Sequence, residues 1–289
     1  MTDVRVALAC ADELGEGPWW DVDRQVLWRV DIEGRKVHRW SPETGEQASW
    51  ETPERVGCFV PGASGRGGIA ALSSALAWIE FDAPKDHELM WLLDTYVPGE
   101  GIRFNDGKCD RYGRLWVGTM VEGDGVPRDS GALYSYQGEV PMRVDVTGVN
   151  ISNGLGWSPD ERAFYYTDSG AQTIWVYDLH SDGALGDRRV FAKDDDCFPD
   201  GLTVDSAGYV WSAKWNGSRV VRYAPDGRVD RTIELPVRRP TSVMFGGADL
   251  DVLYITSAWQ GLRDRGELDG HLFECSPGVK GLPETPFDP

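Results

Sequence analysis

Four polar side chains stand at the start of short apolar runs, where a charge or an amide needs a partner. They are Glu16, Asn105, Asn153 and Asp200. Glycine follows three of them directly, in GEGP, SNGL and PDGL, and allows the backbone to turn tightly. Any one of these residues alone is explained by an Asx turn or a strand cap. Two carboxylates and two amides that converge would repel each other unless a cation lay between them, so the set as a whole favours a metal site.

The donor atoms of this set are all oxygens, which indicates the kind of metal. Such donors suit hard divalent ions, namely Ca²⁺, Mg²⁺ or Mn²⁺, and Fe²⁺ fits a partly hydrated octahedral site. We predict one divalent ion, with Fe²⁺ or Ca²⁺ favoured and Mn²⁺, Mg²⁺ or Zn²⁺ as alternatives. A His-rich structural zinc site is not expected, because the four histidines lie far apart in the sequence: His38, His87, His180 and His271. An open site of this kind keeps waters and can accept a substrate oxygen.

The elements that must position these residues are strands. Six pairs of β-rich segments recur along the chain, with Gly, Asn, Asp or Ser at their joints. Aligning the repeats on the turn before each pair gives a register with a turn residue in each: Asp21, Gly65, Asp110, Ser158, Asp205 and Gly246. Five residues before each turn stand Glu16, Val60, Asn105, Asn153, Asp200 and Thr241. The repeats are about 45 residues long, which is typical of propeller blades.

Six such repeats predict an all-β, six-bladed β-propeller with four-stranded blades. The N-terminal segment DVRVALAC is expected to add the outer strand of the last blade and so close the ring. Residues 1–289 are predicted to form a single domain. The inner strands of a propeller line its channel, so equivalent positions of successive blades form a ring around the axis.

Composition excludes several classes of partner. The net charge of −18 and the sequence pI of about 4.6 disfavour binding to nucleic acid or to anionic membranes. The five cysteines are scattered and show no C-x-x-C spacing, so we expect reduced thiols in a cytoplasmic protein. No apolar run approaches the ~18 residues of a membrane span. A monomer is expected.

Four longer motifs carry a resemblance to a known family. The segments LGEGPWWD, RFNDGKCDRYGRLWVGTM, SNGLGWSPD and CFPDGLTVDSAGYVW resemble the SMP-30/gluconolactonase family, which includes the regucalcins. The resemblance covers nearly the whole chain. It implies a six-bladed propeller that holds one divalent cation on its axis and hydrolyses sugar-acid lactones.

The resemblance also implies roles for individual residues. It implies metal ligation by Glu16, Asn153 and Asp200, and substrate contacts from Arg103 and Asn105. The segment GTMVEGDG offers Glu122 as a further substrate contact, although the family often has two acidic residues here and this chain has Glu122 followed by Gly123. Asp106 replaces the glycine of the other blades and is expected behind the ligand ring.

The predicted function is metal-dependent hydrolysis of an aldonolactone, with a pentonolactone such as D-xylonolactone as the narrower expectation. The attacking water is either bound to the metal or activated by Asp200 as general base. Nucleophilic catalysis is disfavoured because no G-x-S-x-G elbow occurs. Two alternatives remain, an organophosphate or aryl-ester hydrolase and a non-enzymatic calcium-binding propeller, because fold alone does not decide function.

Overall fold

The computed structural model describes residues 3–81, 89–91, 98–138 and 142–288. All its named strands fall into six antiparallel four-stranded sheets. The first three blades are β2 (Gly15–Asp21), β3 (Val26–Asp31), β4 (Lys36–Trp40) and β5 (Gln47–Glu51); β6 (Val56–Pro61), β7 (Gly67–Leu72), β8 (Leu76–Glu80) and β9 (Leu89–Trp91); and β10 (Ile102–Cys109), β11 (Leu115–Val121), β12 (Gly131–Tyr136) and β13 (Arg143–Val149).

The other three blades have the same order. They are β14 (Ser152–Trp157), β15 (Ala163–Asp168), β16 (Thr173–Leu179) and β17 (Leu185–Lys193); β18 (Phe198–Val204), β19 (Val210–Trp215), β20 (Arg219–Tyr223) and β21 (Val229–Glu234); and β22 (Pro240–Gly246), β23 (Val252–Ser257), β24 (Leu272–Cys275) and β1 (Arg5–Leu8). A single 3₁₀ turn, Ser169–Ala171, is the only helical element in the described ranges, and no helix there is long and apolar enough to cross a membrane.

The predicted propeller is confirmed. The middle two strands of each blade are the six strand pairs predicted from the sequence. The inner strands of successive blades contact one another, and β22 contacts β2, which closes the ring. The outer strand of blade 6 is β1, which pairs antiparallel with β24 as expected.

Burial explains the two kinds of strand. Inner and second strands lie between neighbouring blades and are buried almost throughout, as in β3 and β6. Outer strands have one face in water, and their residues alternate accordingly, as in Gln47–Glu51. All five cysteines are free, and four of them are buried.

The turns after the inner strands carry the predicted aspartates in three blades. Asp205 is fully buried and accepts hydrogen bonds from the Trp211 indole (2.9 Å) and from Arg222 (2.6 Å). Asp110 accepts likewise from Trp116 (2.9 Å) and Arg114 (2.8 Å). The charges of Asp110 and Asp205 are therefore compensated by neighbouring arginines.

The C-terminal tail, residues 276–288, crosses the face of the ring on which the inner strands end. Lys280 O accepts from the backbone of Ser206 in blade 5 (2.9 Å), and Glu284 pairs with Lys108 of blade 3 (3.1 Å). Further along, Phe287 bonds the backbone of Pro61 in blade 2 (2.9 Å) and is 1% exposed. Through these contacts the tail ties three blades together, a role that sequence reasoning did not assign to it.

Candidate metal and substrate site

The predicted ring lies at the channel end where the inner strands begin. Each inner strand has a register shift near its start, where an extra residue bulges from the ladder. In five blades these shifts contain or adjoin the predicted ring residues, Glu16, Asn105, Asn153, Asp200 and Thr241.

The prediction for blade 2 is wrong by three residues. The N–H of Gly62 bonds the carbonyl of Gly67 (2.8 Å), just as the N–H of Asp205 closes the turn of blade 5. The turn residue is therefore Gly62, not Gly65. The shift in β6 lies between Val56 and Cys58, so the ring position is Gly57, and Val60 lies further down the strand.

Three carboxyl groups converge on the channel. Burial, then the Asp200 carboxylate, then Asp106, raise the pKa of Glu16 well above its usual range. Burial and then Asp106 raise the pKa of Asp200 in the same way. Burial raises the pKa of Asp106 itself to about 6. No Lys or Arg in the described residues forms an ion pair with any of the three, and the more distant charges of Lys108 and Arg103 offset the raised pKa values of Asp106 and Glu16 only in part.

Two oxygen atoms at this ring have no hydrogen-bond partner. They are Asn153 Oδ1 and Asp200 Oδ1, and both are buried. The Asn153 amide is held by its nitrogen, which donates to Ser169 Oγ (3.1 Å); Ser169 in turn donates to the Pro199 carbonyl (2.6 Å). This chain fixes the side chain with its oxygen free. Orphaned buried oxygens beside Glu16 are the donor set that a hard divalent cation requires.

The Asn153 amide completes the oxygen donors at the ring. Among the residues that the structure describes, no group of three His, Cys, Asp or Glu side chains alone is placed to hold a metal ion. A site here that includes Asn153 as well as the two carboxylates is the ligand set that the family resemblance implied.

The predicted substrate residues form one polar cluster on blade 3. Arg103 Nη1 donates to Asn105 Oδ1 (2.7 Å), and the Asn105 amide donates to the Ser152 carbonyl of blade 4 (2.7 Å). Arg103 Nε donates to Glu122 Oε1 (2.8 Å). The side-chain oxygen of Asn105 already accepts a hydrogen bond from Arg103. Asn105 therefore lies beside the ligand ring with its oxygen engaged, and not as a free metal ligand.

Glu122 lies between two arginines. Besides Arg103, it accepts from both Nη atoms of Arg55 of blade 2 (2.8 and 2.7 Å). Burial acts to raise the pKa of Glu122, but the hydrogen bonds and charges of Arg55 and Arg103 outweigh it and lower the pKa. Sequence reasoning missed Arg55. The signal was its place two residues before the ring position, the offset of Arg103 from Asn105, and the register error in blade 2 concealed it.

A small cavity continues the channel behind the ring. It has a volume of about 20 Å³, room for roughly one water, and its lining includes Gly17, Phe59, Asp106 and Lys108. A larger groove of about 690 Å³ lies on the opposite face, between the turns of blades 3 and 4. None of the predicted site residues lines that groove, and its Asp110, Arg114 and Glu284 already have ion-pair partners.

Comparisons with known proteins agree with this architecture. The SMP-30/Gluconolactonase/LRE-like region matches residues 14–259. The 6-deoxy-6-sulfogluconolactonase of Pseudomonas putida is 39% identical over 285 residues, covering 95% of this chain and 94% of that protein. The pentonolactonase XacC of Haloferax volcanii is 35% identical over 305 residues, covering 100% and 99%.

A solved structure has a similar fold. The calcium-binding protein regucalcin from Agrobacterium tumefaciens superposes with a TM-score of 0.89 at 25% identity, over 100% of this chain and 98% of that one. The match of the family region over most of the chain, together with full-length relatives above 30% identity, shows that the chain belongs to the SMP-30/gluconolactonase family.

Proposed function

We propose that this protein is an enzyme that hydrolyses sugar lactones, specifically a metal-dependent aldonolactonase. The observation that carries the proposal is the pair of buried, unpartnered oxygens of Asn153 and Asp200 beside the Glu16 carboxylate. The relatives named sulfogluconolactonase and pentonolactonase support lactone hydrolysis as the activity. Within that class, D-xylonolactone is the pentonolactone that we propose to test first.

Glu16, Asn153 and Asp200 are the residues that would hold the ion. Bound there, a divalent cation supplies Lewis acidity toward a lactone carbonyl and makes a water more acidic. We propose Fe²⁺ or Ca²⁺, with Mn²⁺, Mg²⁺ and Zn²⁺ as alternatives; the calcium-binding regucalcin of Agrobacterium tumefaciens supports a divalent metal in general.

The chain's own residues orient the substrate. Arg103 is 5% exposed and fixed by three hydrogen bonds, so it presents donors at low entropic cost. Glu122, kept ionised by its two arginines, offers acceptor oxygens to sugar hydroxyls. Asp200 has two roles open to it, because its free Oδ1 serves either as a ligand or as the acceptor of the proton of the attacking water.

The test combines metals and lactones. Chelator-treated protein is assayed with a pH indicator against a panel of aldonolactones, including D-xylonolactone, with each of the five cations added back and with spontaneous hydrolysis subtracted. An aryl ester and an organophosphate serve as parallel substrates. Hydrolysis restored by one cation supports the proposal, whereas metal binding without opening of any lactone would refute it.

The role of Asp200 is separated by an isosteric variant. Asp200→Asn keeps a ligand oxygen but cannot take a proton at neutral pH. If it binds the metal and retains most of kcat, the base is not Asp200. If it binds the metal and loses about 10²–10⁴-fold in kcat, general-base catalysis by Asp200 is supported.

A further inference from the structure

A second ring of side chains surrounds the mouth of the channel, one layer outside the ligand ring. Its members stand two residues before each ring position: Leu14, Arg55, Arg103, Ile151, Phe198 and Arg239. We refer to these six as the collar. The hydrogen bonding supports their equivalence, since the carbonyls of Leu14, Arg55, Ile151 and Arg239 each accept from the backbone just after the second strand of their blade.

The six collar residues are of two kinds, apolar and basic. Blades 1, 4 and 5 contribute apolar residues, and Phe198 is 38% exposed. Blades 2, 3 and 6 contribute arginines. Since blade 6 is opposite blade 3 in a ring of six, Arg239 and Arg103 stand on opposite sides of the mouth.

Arg239 differs from the other two arginines in its partners. Arg55 pairs with Glu33 and Glu122, and Arg103 pairs with Glu122, so both charges are compensated. Arg239 meets no carboxylate within ion-pair distance in the described ranges. It bonds only neutral acceptors, with Nε donating to Asn216 Oδ1 (2.9 Å) and Nη1 donating to the Gln260 carbonyl.

The guanidinium of Arg239 is nevertheless held in place. Its carbon lies 4.5 Å from the ring centroid of Trp215, whose strand position pairs with Phe198 of the collar. Two of its nitrogens are bonded, and Nη2 has no acceptor among the residues the structure describes. Burial, then the adjacent Arg238, lower the pKa of Arg239, and the charge of Asp269, which lies beyond ion-pair distance, offsets them only in part. A planar donor fixed by stacking with one edge unused suits the binding of an oxyanion.

We propose that Arg239 determines the substrate class, by binding an anionic oxyacid substituent, such as a phosphate or sulfonate, on the side chain of the lactone. The inference rests on the proposed lactonase function and narrows it. A lactone whose carbonyl lies at the ligand ring presents its remaining carbons to the collar. There Arg103 and Glu122 meet hydroxyl groups on one side, and Arg239 meets the charged end on the other.

The first test compares lactones of one carbon skeleton. D-Glucono-δ-lactone, its 6-phosphate and its 6-sulfonate are assayed with the metal-loaded enzyme, with D-xylonolactone as a second neutral substrate. We expect kcat/KM of at least one anionic lactone to exceed that of the neutral parent by about 10–100-fold, mostly through KM, as for a hydrogen bond to a charged group. The advantage should shrink at high salt. Equal values for charged and neutral lactones would overturn the proposal.

Matched variants assign the effect to one residue. Arg239→Gln should lower the anionic-to-neutral ratio of kcat/KM by about 10–100-fold, and Arg239→Lys should recover part of it. Arg238→Gln removes the neighbouring exposed arginine and should leave the ratio within about twofold. If Arg238→Gln lowers the ratio as much as Arg239→Gln does, the preference comes from the general surface potential, and the proposal is wrong.

A binding measurement separates this inference from the proposed function. Calorimetry compares the ring-opened acids gluconate and 6-phosphogluconate on wild type and on Arg239→Gln. The phosphorylated acid should bind more tightly to wild type, and the variant should lose that difference. This outcome can be read even if no lactone is opened, in which case the lactonase proposal fails and the assignment of Arg239 stands. A difference that persists in Arg239→Gln would overturn the assignment.

Discussion

The carboxyl groups at the ligand ring, which form no ion pair with Lys or Arg in the described residues, predict that a single substitution changes the stability of this protein in opposite directions with and without metal. Asp200 is 5% exposed, its Oδ1 has no hydrogen bond, and Glu16 and Asp106 are its charged neighbours. Without a cation, Asp200→Asn removes a buried, repelled charge while keeping the side-chain shape. We expect the free energy of unfolding of the chelator-treated protein to rise by about 1–3 kcal/mol.

That gain corresponds to an increase in Tm of roughly 2–6 °C, because 1 kcal/mol shifts Tm by about 2 °C in a chain of this length. With metal the order reverses. At a free concentration 1,000 times Kd, a ligand that binds only the folded state stabilises wild type by about 4.1 kcal/mol, which exceeds the gain of the variant in chelator. Asp200→Asn has lost an ionised ligand, so metal binding stabilises the variant much less than it stabilises wild type.

Asp205→Asn is the matched control, five residues along the same strand and turn. Asp205 is also buried, but Arg222 and the Trp211 indole bond it. Its loss leaves Asp230 as the only carboxylate that pairs with Arg222 in the described residues, and we expect about 1–3 kcal/mol of destabilisation with or without metal. Thermal unfolding followed by circular dichroism, in chelator and in a metal titration, measures both variants. A lower Tm for Asp200→Asn in chelator, or equal stabilisation of it by metal, would refute the reasoning.

Three other predictions follow from contacts around the ring. Ser169→Ala frees the Asn153 amide to rotate, and should weaken metal affinity by about 10–100-fold in calorimetry while Tm in chelator changes little; unchanged affinity would show that Asn153 needs no such support. Phe287→Ala should lower the free energy of unfolding by about 3–5 kcal/mol in urea titrations, and a loss below 1 kcal/mol would mean that the tail does not hold the blades. Burial and then Arg29 lower the pKa of His38 to about 3 from its usual value of 6.5. Between these two pH values the unfolded chain binds a proton at His38 and the folded chain does not, so the free energy of unfolding should fall as the pH drops from about 6.5 toward 3. His38→Gln should make this dependence on pH weaker.

Most of the fold could be predicted because each blade repeats one local pattern. Segments such as RQVLWRVD and GRKVHRW alternate or are β-branched, and their joints carry turn residues, so hairpins follow from nearest neighbours in sequence. The prediction of the turn and the ring position in blade 2 failed for a physical reason. Its inner strand, VGCFVP, is buried on both faces and contains no polar residue, so nothing in it marks where the bulge falls.

The sequence repeat predicts only those site residues that occupy equivalent positions in different blades. Glu16, Asn153 and Asp200 share one offset from their turns, and the structure brings them to one ring. The arginines that hold Glu122 come from two blades, and the ion pair of Lys108 with Glu284 joins residues far apart in the chain. Such contacts depend on how blades face one another, which no local pattern encodes.

The pairing of β1 with β24 also has a consequence for synthesis. Arg5 and Glu274, which lie opposite each other in that ladder, are separated by 269 positions. At about 5–20 residues per second on the ribosome, the first strand waits some tens of seconds before its partner exists. Blades 1 to 5 can be completed in order as they emerge, whereas blade 6 takes strands from both ends of the chain. Ring closure is therefore the last step in forming the propeller, and until then the nascent propeller carries an open edge that other chains, or a chaperone, can reach.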